Sequence, residues 1–194
     1  VRLVEGYSDA EIALTCGGML RECLQKEPLC MQVARSRDML QRLVDAVQLP
    51  NFDVATDAFS SFREVLTLHK TQQFAQWMDE HYDQLFAHFA KLHKCENYVT
   101  RRLSMKLVGE ILLDRNNFNV MSRYIRDREH LRTVMKALAD PSQAIAFEAF
   151  HVFKIFAANP NKTPEIVEIL LRNQEKLCSF LPNFQEERGR VETG

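Results

Sequence analysis

The sequence predicts an all-α fold, an armadillo- or HEAT-like helical-repeat solenoid wound as a right-handed superhelix. Three observations carry that expectation. First, residues 12–23, 54–65, 100–111 and 145–156 align without gaps as one repeated helical segment. A small residue recurs at Cys16, Ala58, Ser104 and Ala149. Apolar residues recur at Leu20, Phe62, Val108 and Phe153, and again at Cys23, Val65, Ile111 and Phe156. The spacings of 42, 46 and 45 residues between segment starts match the period of HEAT and armadillo units, about 40–47 residues. Second, apolar residues between the breaks follow helical spacing, and no segment alternates as a strand would. Third, the order of two short helices followed by one long one is armadillo grammar. Such units cannot bury their apolar faces alone, so they stack into a curved rod with a long concave surface lined by the long helices. That architecture points to a binding surface before a catalyst.

Proline, glycine and asparagine set the elements. The first repeat helix is expected over about 8–26, with Ser8 or Asp9 as N-cap and Pro28 ending it. Residues 30–49 read as short helical pieces closed by Pro50-Asn51, and Asn51 or Asp53 then caps a helix reaching about Lys70. Residues 72–93 form a long amphipathic stretch with Phe74, Trp77, Met78, Tyr82, Leu85, Phe86 and Phe89 at helical spacing. Asn97 opens the third repeat helix, which ends near Asp114-Arg115-Asn116-Asn117 and buries Val99, Leu103, Leu107 and Ile111. Two helices follow over 118–126 and 128–139. Asp140-Pro141-Ser142 starts the fourth repeat helix, with proline in its first turn. Thr163-Pro164-Glu165 starts a last helix to about Phe180, and 182–194 turns polar. One helical-repeat domain is thus expected over 1–184, with a polar tail at 185–194.

Composition narrows the function classes. A formal charge of −1 disfavours a general nucleic-acid or acidic-membrane binder. No apolar run reaches the ~18 residues of a membrane span, and the mixed polarity of residues 1–9 is not that of a signal peptide. The odd set Cys16, Cys23, Cys30, Cys95 and Cys178 reads as small apolar residues of a reduced, cytoplasmic protein rather than a disulfide framework. The sequon Asn161-Lys162-Thr163 would be unused in that compartment.

Catalytic and metal constellations are missing from the pattern. Gly17-Gly18 falls inside a helix, where it serves close packing rather than phosphate binding. His81 and His88 lie seven apart on one helix face, which permits shared ligation, but read as polar-face or interface residues. His151, between Phe150 and Phe153, reads as a core histidine. Asp79, Glu80 and Asp83 read as a solvated charged face. There is no zinc spacing, calcium loop or Ser/Cys–His arrangement. No metal or cofactor is expected. One anomaly remains. Arg101 stands in a column otherwise filled by Ala13, Ala55 and Ala146, and Arg102 in the column of Leu14, Thr56 and Phe147. Tyr98 shares a stripe with Arg102, four residues on. A Tyr–Arg pair beside the core of a concave-face helix has the composition of a binding hot spot, as against an ordinary solvated basic turn.

The same residues carry a family pattern. Glu96-Asn97-Tyr98-Val99-Thr100-Arg101-Arg102, Leu112-Leu113-Asp114-Arg115-Asn116-Asn117-Phe118 and Phe147-Glu148-Ala149-Phe150-His151-Val152-Phe153-Lys154 with Ala158-Asn159-Pro160-Asn161-Lys162-Thr163 resemble the calcium-binding protein 39 family, the mouse-protein-25 scaffold. The likeness runs from about Gly6 to about Phe184 and corresponds to the later part of a family member, without its early repeats and closing tail. The pattern departs in 31–48 and 71–78, where single residues are inserted.

This resemblance implies a non-enzymatic scaffold. Its partners would be a sterile-twenty-class protein kinase or pseudokinase held in the active-like conformation, and a liver-kinase-B-type kinase completing a ternary complex. The family's concave-face positions fall on Phe52, Tyr98, Arg102 and Met135, with Arg101 adjacent. A pocket for a Trp-Glu-Phe C-terminal tail would use Arg132 and Arg172, where the family usually has lysine. The family name promises calcium, yet the chain shows no calcium loop, so no specific calcium site is expected. A generic helical-repeat adaptor with unrelated partners is the alternative, and a repeat-based enzyme or nucleic-acid binder is a more distant one.

Overall fold

A computed structural model describes residues 2–180, and the polar tail expected at 185–194 lies outside them. The described chain is helical, without a strand. The helices are α1 (Arg2–Glu5), α2 (Ala13–Leu24), α3 (Glu27–Arg35), α4 (Arg37–Ala46), α5 (Phe52–Thr67), α6 (Gln72–Glu80), α7 (Tyr82–Leu92), α8 (Tyr98–Leu113), α9 (Phe118–Tyr124), α10 (Arg128–Leu138), α11 (Gln143–Ala158) and α12 (Pro164–Arg172). Two 3-10 turns, Gly6–Ser8 and Arg115–Asn117, join α1 to α2 and α8 to α9. The units α3–α5, α6–α8 and α9–α11 each consist of two short helices and a long one, as an armadillo-like solenoid requires. The long helices α5, α8 and α11 are each 16 residues.

Side-chain caps fix where the long helices start. Asn51 Oδ1 accepts from the backbone N–H of Asp53 and Val54 at 3.1 and 3.2 Å. Asn97 Oδ1 does the same for Val99 and Thr100 at 2.9 and 3.4 Å. Ser142 Oγ accepts from Ile145 N. Each satisfies amide donors that a helix leaves open at its first turn.

Several boundaries differ from the sequence expectation, each for a local reason. The first repeat helix starts at Ala13, not near Ser8. Gly6 lies so close to α2 that an added Cβ would overlap Cys16 Sγ, so the chain turns back along α2 instead of running into it. Asp9 caps only that turn, accepting from Glu11 N at 3.0 Å. Pro28 belongs to the first turn of α3, and Pro141 stands before the Ser142 cap rather than inside α11. The stretch 72–93 breaks at His81, whose backbone (φ −107, ψ 20) ends α6 and opens α7. Its Nδ1 donates to the Trp77 carbonyl at 2.9 Å, and its ring stacks on the indole at 5.4 Å. Apolar spacing runs through this break unchanged, which hides it from periodicity. The last helix likewise stops at Asn173, whose Nδ2 donates to the Ile169 carbonyl at 2.8 Å, before helical backbone resumes over 174–180.

α2, α5, α8 and α11 stand side by side, each packed on the next, and the short helices cover one side of that layer. The repeat columns are its interior. Ala58, Phe62, Val65, Ser104, Val108, Ile111, Ala149, Phe153 and Phe156 are all buried. On α8 the core side is Thr100, Ser104, Leu107, Val108 and Ile111, whereas Val99 and Leu103 are only half-buried. Cys16 and Cys23 are also half-buried because α2 stands at the edge of the layer, and of the five free cysteines only Cys30 is buried. One apolar cluster runs from Val4 to Ile166.

Ion pairs tie successive long helices together: Arg21 to Asp57 at 2.7 Å, Arg63 to Glu110 at 2.9 Å, and Arg102 to Glu148 at 3.5 Å. The first is the tightest. Arg21 grips both carboxylate oxygens of Asp57. The Tyr7 hydroxyl, which burial keeps protonated, donates to Asp57 Oδ2 at 2.7 Å and lies 2.8 Å from Ser61 Oγ. Bidentate charge-assisted contacts of this kind are among the stronger polar ones. On the outer side Arg123 spans Asp79 and Asp83, 3.4 Å from each, over the Tyr82 ring. Asp79 and Asp83 are therefore an inter-unit clamp rather than a merely solvated face.

The network requires glycine at position 17, where a Cβ would overlap the Asp57 carboxylate and the Tyr7 hydroxyl, while at Gly18 a Cβ meets nothing within 4 Å. Gly17→Ala is expected to cost about 3 kcal/mol by overpacking and loss of the ion pair. Gly18→Ala should gain about 0.5–1 kcal/mol from helix propensity. Urea unfolding of both variants checks the contrast, and equal effects would refute it.

Acid should weaken the fold through His93. Burial first, opposed by hydrogen bonding of the ring to the Ser104 backbone carbonyl, lowers its pKa to about 4. Its Nε2 has no partner among the described residues. The unfolded chain takes up a proton near pH 6.5 and the folded chain only near 4. Stability is therefore fully present above about 6.5 and falls as pH drops towards 4, by up to about 3 kcal/mol. Burial depresses His88 and His130 too, with the same sign. In denaturant titrations at pH 7 and 4.5, His93→Gln should show a clearly smaller acid loss than the parent chain. An identical loss would remove His93 as its source.

Candidate partner-binding face

Each long helix leaves one stripe uncovered by the short helices, and the stripes fall in the same repeat columns. On α5 the stripe includes Phe52, Ser60 and Arg63, on α8 Tyr98, Arg102 and Lys106, and on α11 Gln143, Phe147 and Lys154. Phe52 and Tyr98 occupy equivalent places: each is the first residue of an Asn-capped helix, at 54% and 41% exposure. Two large aromatics displayed at one repeat position in neighbouring units form a regular apolar feature on an otherwise polar surface. The fixed caps hold their backbone in place, so little order is left to impose when a partner covers them.

The two arginines of α8 separate in role. Arg101 is half-buried, and its Nη1 donates to the carbonyls of Cys95 and Glu96 at 3.0 and 2.9 Å. It braces the loop between α7 and α8. Arg102 reaches across to Glu148 on α11, with side-chain exposures of 44% and 10%. It therefore presents charge to solvent while compensating a buried carboxylate, so it belongs both to the exposed stripe and to the inter-helix lattice. His151 is not a core histidine. It is half-exposed on the α11 stripe, edge-on to Phe147 at 4.7 Å.

The remaining site residues lie on α10 and α12, which pack together. Arg132 and Arg172 are exposed, and each pairs with a glutamate on its own helix, Glu129 and Glu168, at 2.5 Å. An incoming carboxylate would exchange with those surface partners at small cost, because exposed pairs are worth at most about 1 kcal/mol. Met135, one turn after Arg132, is half-buried against the core. Truncating it would loosen packing as well as surface.

A groove of about 610 Å³ at the C-terminal ends of α8 and α11 is the feature that sequence reasoning missed. It is flanked by Leu113 and Phe118, each 64% exposed, together with Arg126 and Lys154. The available signal was an apolar residue, Leu113, at the end of the α8 solvent stripe. Among the described residues no group of three or more His, Cys, Asp or Glu could hold a metal ion. No described helix is long and apolar enough to cross a membrane.

A Mo25-like family model matches residues 1–192. The chain belongs to the Mo25-like family. It is 49% identical over 186 residues to the mouse calcium-binding protein 39-like protein, covering 96% of this chain and 55% of that one. It is 50% identical over 188 residues to MO25-like protein 2 of Caenorhabditis elegans, covering 97% and 55%. It is 47% identical over 186 residues to the Mo25-like protein of Schizosaccharomyces pombe, covering 96% and 56%. The chain thus spans about half the length of the curated relatives it matches.

The Arg102–Glu148 pair separates a structural from a binding effect. Arg102→Ala should destabilise by about 1 kcal/mol, a figure discounted for the half-exposed arginine, because Glu148 loses its counter-charge. Adding Glu148→Gln should restore most of that loss in thermal unfolding. No rescue by the second substitution would show that the pair does not matter to the fold.

Proposed function

We propose that this protein is a non-catalytic scaffold that binds a sterile-twenty-class protein kinase or pseudokinase through the exposed stripes of α5, α8 and α11 and favours its active-like conformation. The carrying observation is the pair Phe52 and Tyr98, displayed at the same capped position of adjacent units with Arg102 one turn beyond. Aromatic and arginine side chains dominate protein–protein hot spots. Membership in the Mo25-like family supports the same reading. A scaffold needs no reacting group. It has only to bind one kinase arrangement better than the other, and a coupling of about 1–3 kcal/mol gives roughly a 5–150-fold shift. The layered helices supply a stiff surface for that selection.

A second contact belongs to the same proposal. Arg132, Met135 and Arg172 on α10 and α12 would receive a C-terminal Trp-Glu-Phe tail. The aromatic side chains would supply buried area, and the arginines would engage the tail's glutamate. A liver-kinase-B-type kinase would complete a ternary assembly, in the cytoplasm.

Binding of a purified sterile-twenty-class kinase domain by calorimetry tests the first contact. Tyr98→Ala and Phe52→Ala should each weaken it about 30-fold, or about 2 kcal/mol, without lowering thermal stability, since both side chains are exposed. A peptide ending in Trp-Glu-Phe should bind, and its Ala-Glu-Ala counterpart should not. Unchanged kinase affinity in both aromatic variants would overturn the exposed face as the docking surface.

A further inference from the structure

Each helix of the layer turns one flank to the helix before it, and the repeat columns name the residues there. Two of those columns hold Val54 and Ser61 on α5, Thr100 and Leu107 on α8, and Ile145 and Val152 on α11, none of them more than 4% exposed. The acceptors Asp57, Glu110 and Glu148 mark the same flank, since each takes its arginine from the preceding helix. On α2 the two columns hold Ile12 and Met19, which are 47% and 55% exposed. Cys16 and Cys23, in the columns of Ala58 and Val65, are only half-buried. Side chains spaced at 12, 16, 19 and 23 form one continuous stripe along a helix. The outer flank of α2 thus has the composition of an inter-helix contact without the neighbouring helix that covers it in the other units.

What fits that flank is another long helix of this repeat, and the α2 of a second copy is one whose own matching flank is bare. Two copies related by a two-fold axis meet through the same surface, as an isologous interface requires. With the helices antiparallel and the axis between Cys16 and Met19, Cys16 faces the partner's Met19 and Ile12 faces the partner's Cys23. A small side chain then meets a large one at each level, which lets two helices approach closely without voids. At the rim, Lys26 at the end of α2 comes beside the partner's Asp9 before its start, and both residues are exposed. A parallel pair would instead set Glu22 against the partner's Glu22 and Lys26 against the partner's Lys26, and like charges so placed repel.

We propose that two copies of this chain associate through the outer flank of α2, packed antiparallel about Cys16 and Met19. The contact lies at one end of the layer and uses neither the exposed stripes of α5, α8 and α11 nor the α10–α12 contact. The pair therefore presents two copies of those surfaces. One flank of a three-turn helix makes a small interface, so a dissociation constant in the micromolar range is expected rather than an obligate dimer.

Sedimentation velocity of the full chain over a wide concentration range tests the association. A reversible monomer–dimer equilibrium is expected. Ile12→Glu and Met19→Glu should each weaken it at least about tenfold, because each sets a carboxylate against an apolar side chain of the partner. Leu14→Glu, at a position 50% exposed on the same helix but turned away from the flank, should leave it unchanged. All three positions are exposed, so circular dichroism should show an intact fold in each variant. Thiol labelling gives a second readout: Cys16 and Cys23 should react more slowly as the concentration rises, and the exposed Cys178 should not. A monomer at every concentration, with Cys16 and Cys23 labelled at one rate throughout, would overturn the proposal and leave the flank to a helix of another protein. A dimer as stable in Met19→Glu as in the parent chain would also overturn it, by placing the contact elsewhere.

Discussion

Close approach of the long helices is the constraint on which the rest of the structure depends. Ala58, Ser104 and Ala149 are completely buried, at one repeat position in α5, α8 and α11. A larger side chain there would push neighbouring helices apart and open space that close-packed interiors do not tolerate. With the helices in contact, Phe62, Val108 and Phe153 pack between units and the short helices cover one side. Gly17 is the same requirement at its limit, since even a methyl group has no room beside Asp57.

Ion pairs then fix how the helices sit on one another. Apolar columns alone permit sliding, because burial has no direction. The bridges from Arg21, Arg63 and Arg102 to the next long helix are directional. The Arg21–Asp57 network, with Tyr7 and Ser61, is the least exposed of them. The Arg102–Glu148 pair is the most consequential for function, because it sits on the proposed docking face. Partner binding there would perturb a contact that also joins α8 to α11, which is a physical route from a bound partner to the packing of the layer.

The faces of the molecule divide the work. One side of the layer is covered by short helices, and the other presents capped aromatics and basic residues in register. Because the caps are side-chain hydrogen bonds from Asn51 and Asn97, Phe52 and Tyr98 are positioned by the start of the helix rather than by a loop.

The all-helical class, the repeat, its period, the three-helix unit and the Asn caps were legible in the residues alone, because each rests on local chemistry or on spacing along a single helix. Phe52, Tyr98 and Arg102 were legible as candidates because they break or repeat a column. The break at His81 was not, since Trp77, Met78 and Tyr82 keep their apolar spacing across it while a side-chain-to-carbonyl bond ends the helix. The start of α2 depended on the close packing of Gly6, which has no Cβ, against Cys16, ten residues further on. The pairing of Arg102 with Glu148, the clamp of Arg123 on Asp79 and Asp83, and the bare outer flank of α2 were decided only by tertiary structure. Sequence periodicity records which face of a helix is apolar, but not which residue of another unit stands opposite. That is set when the units stack.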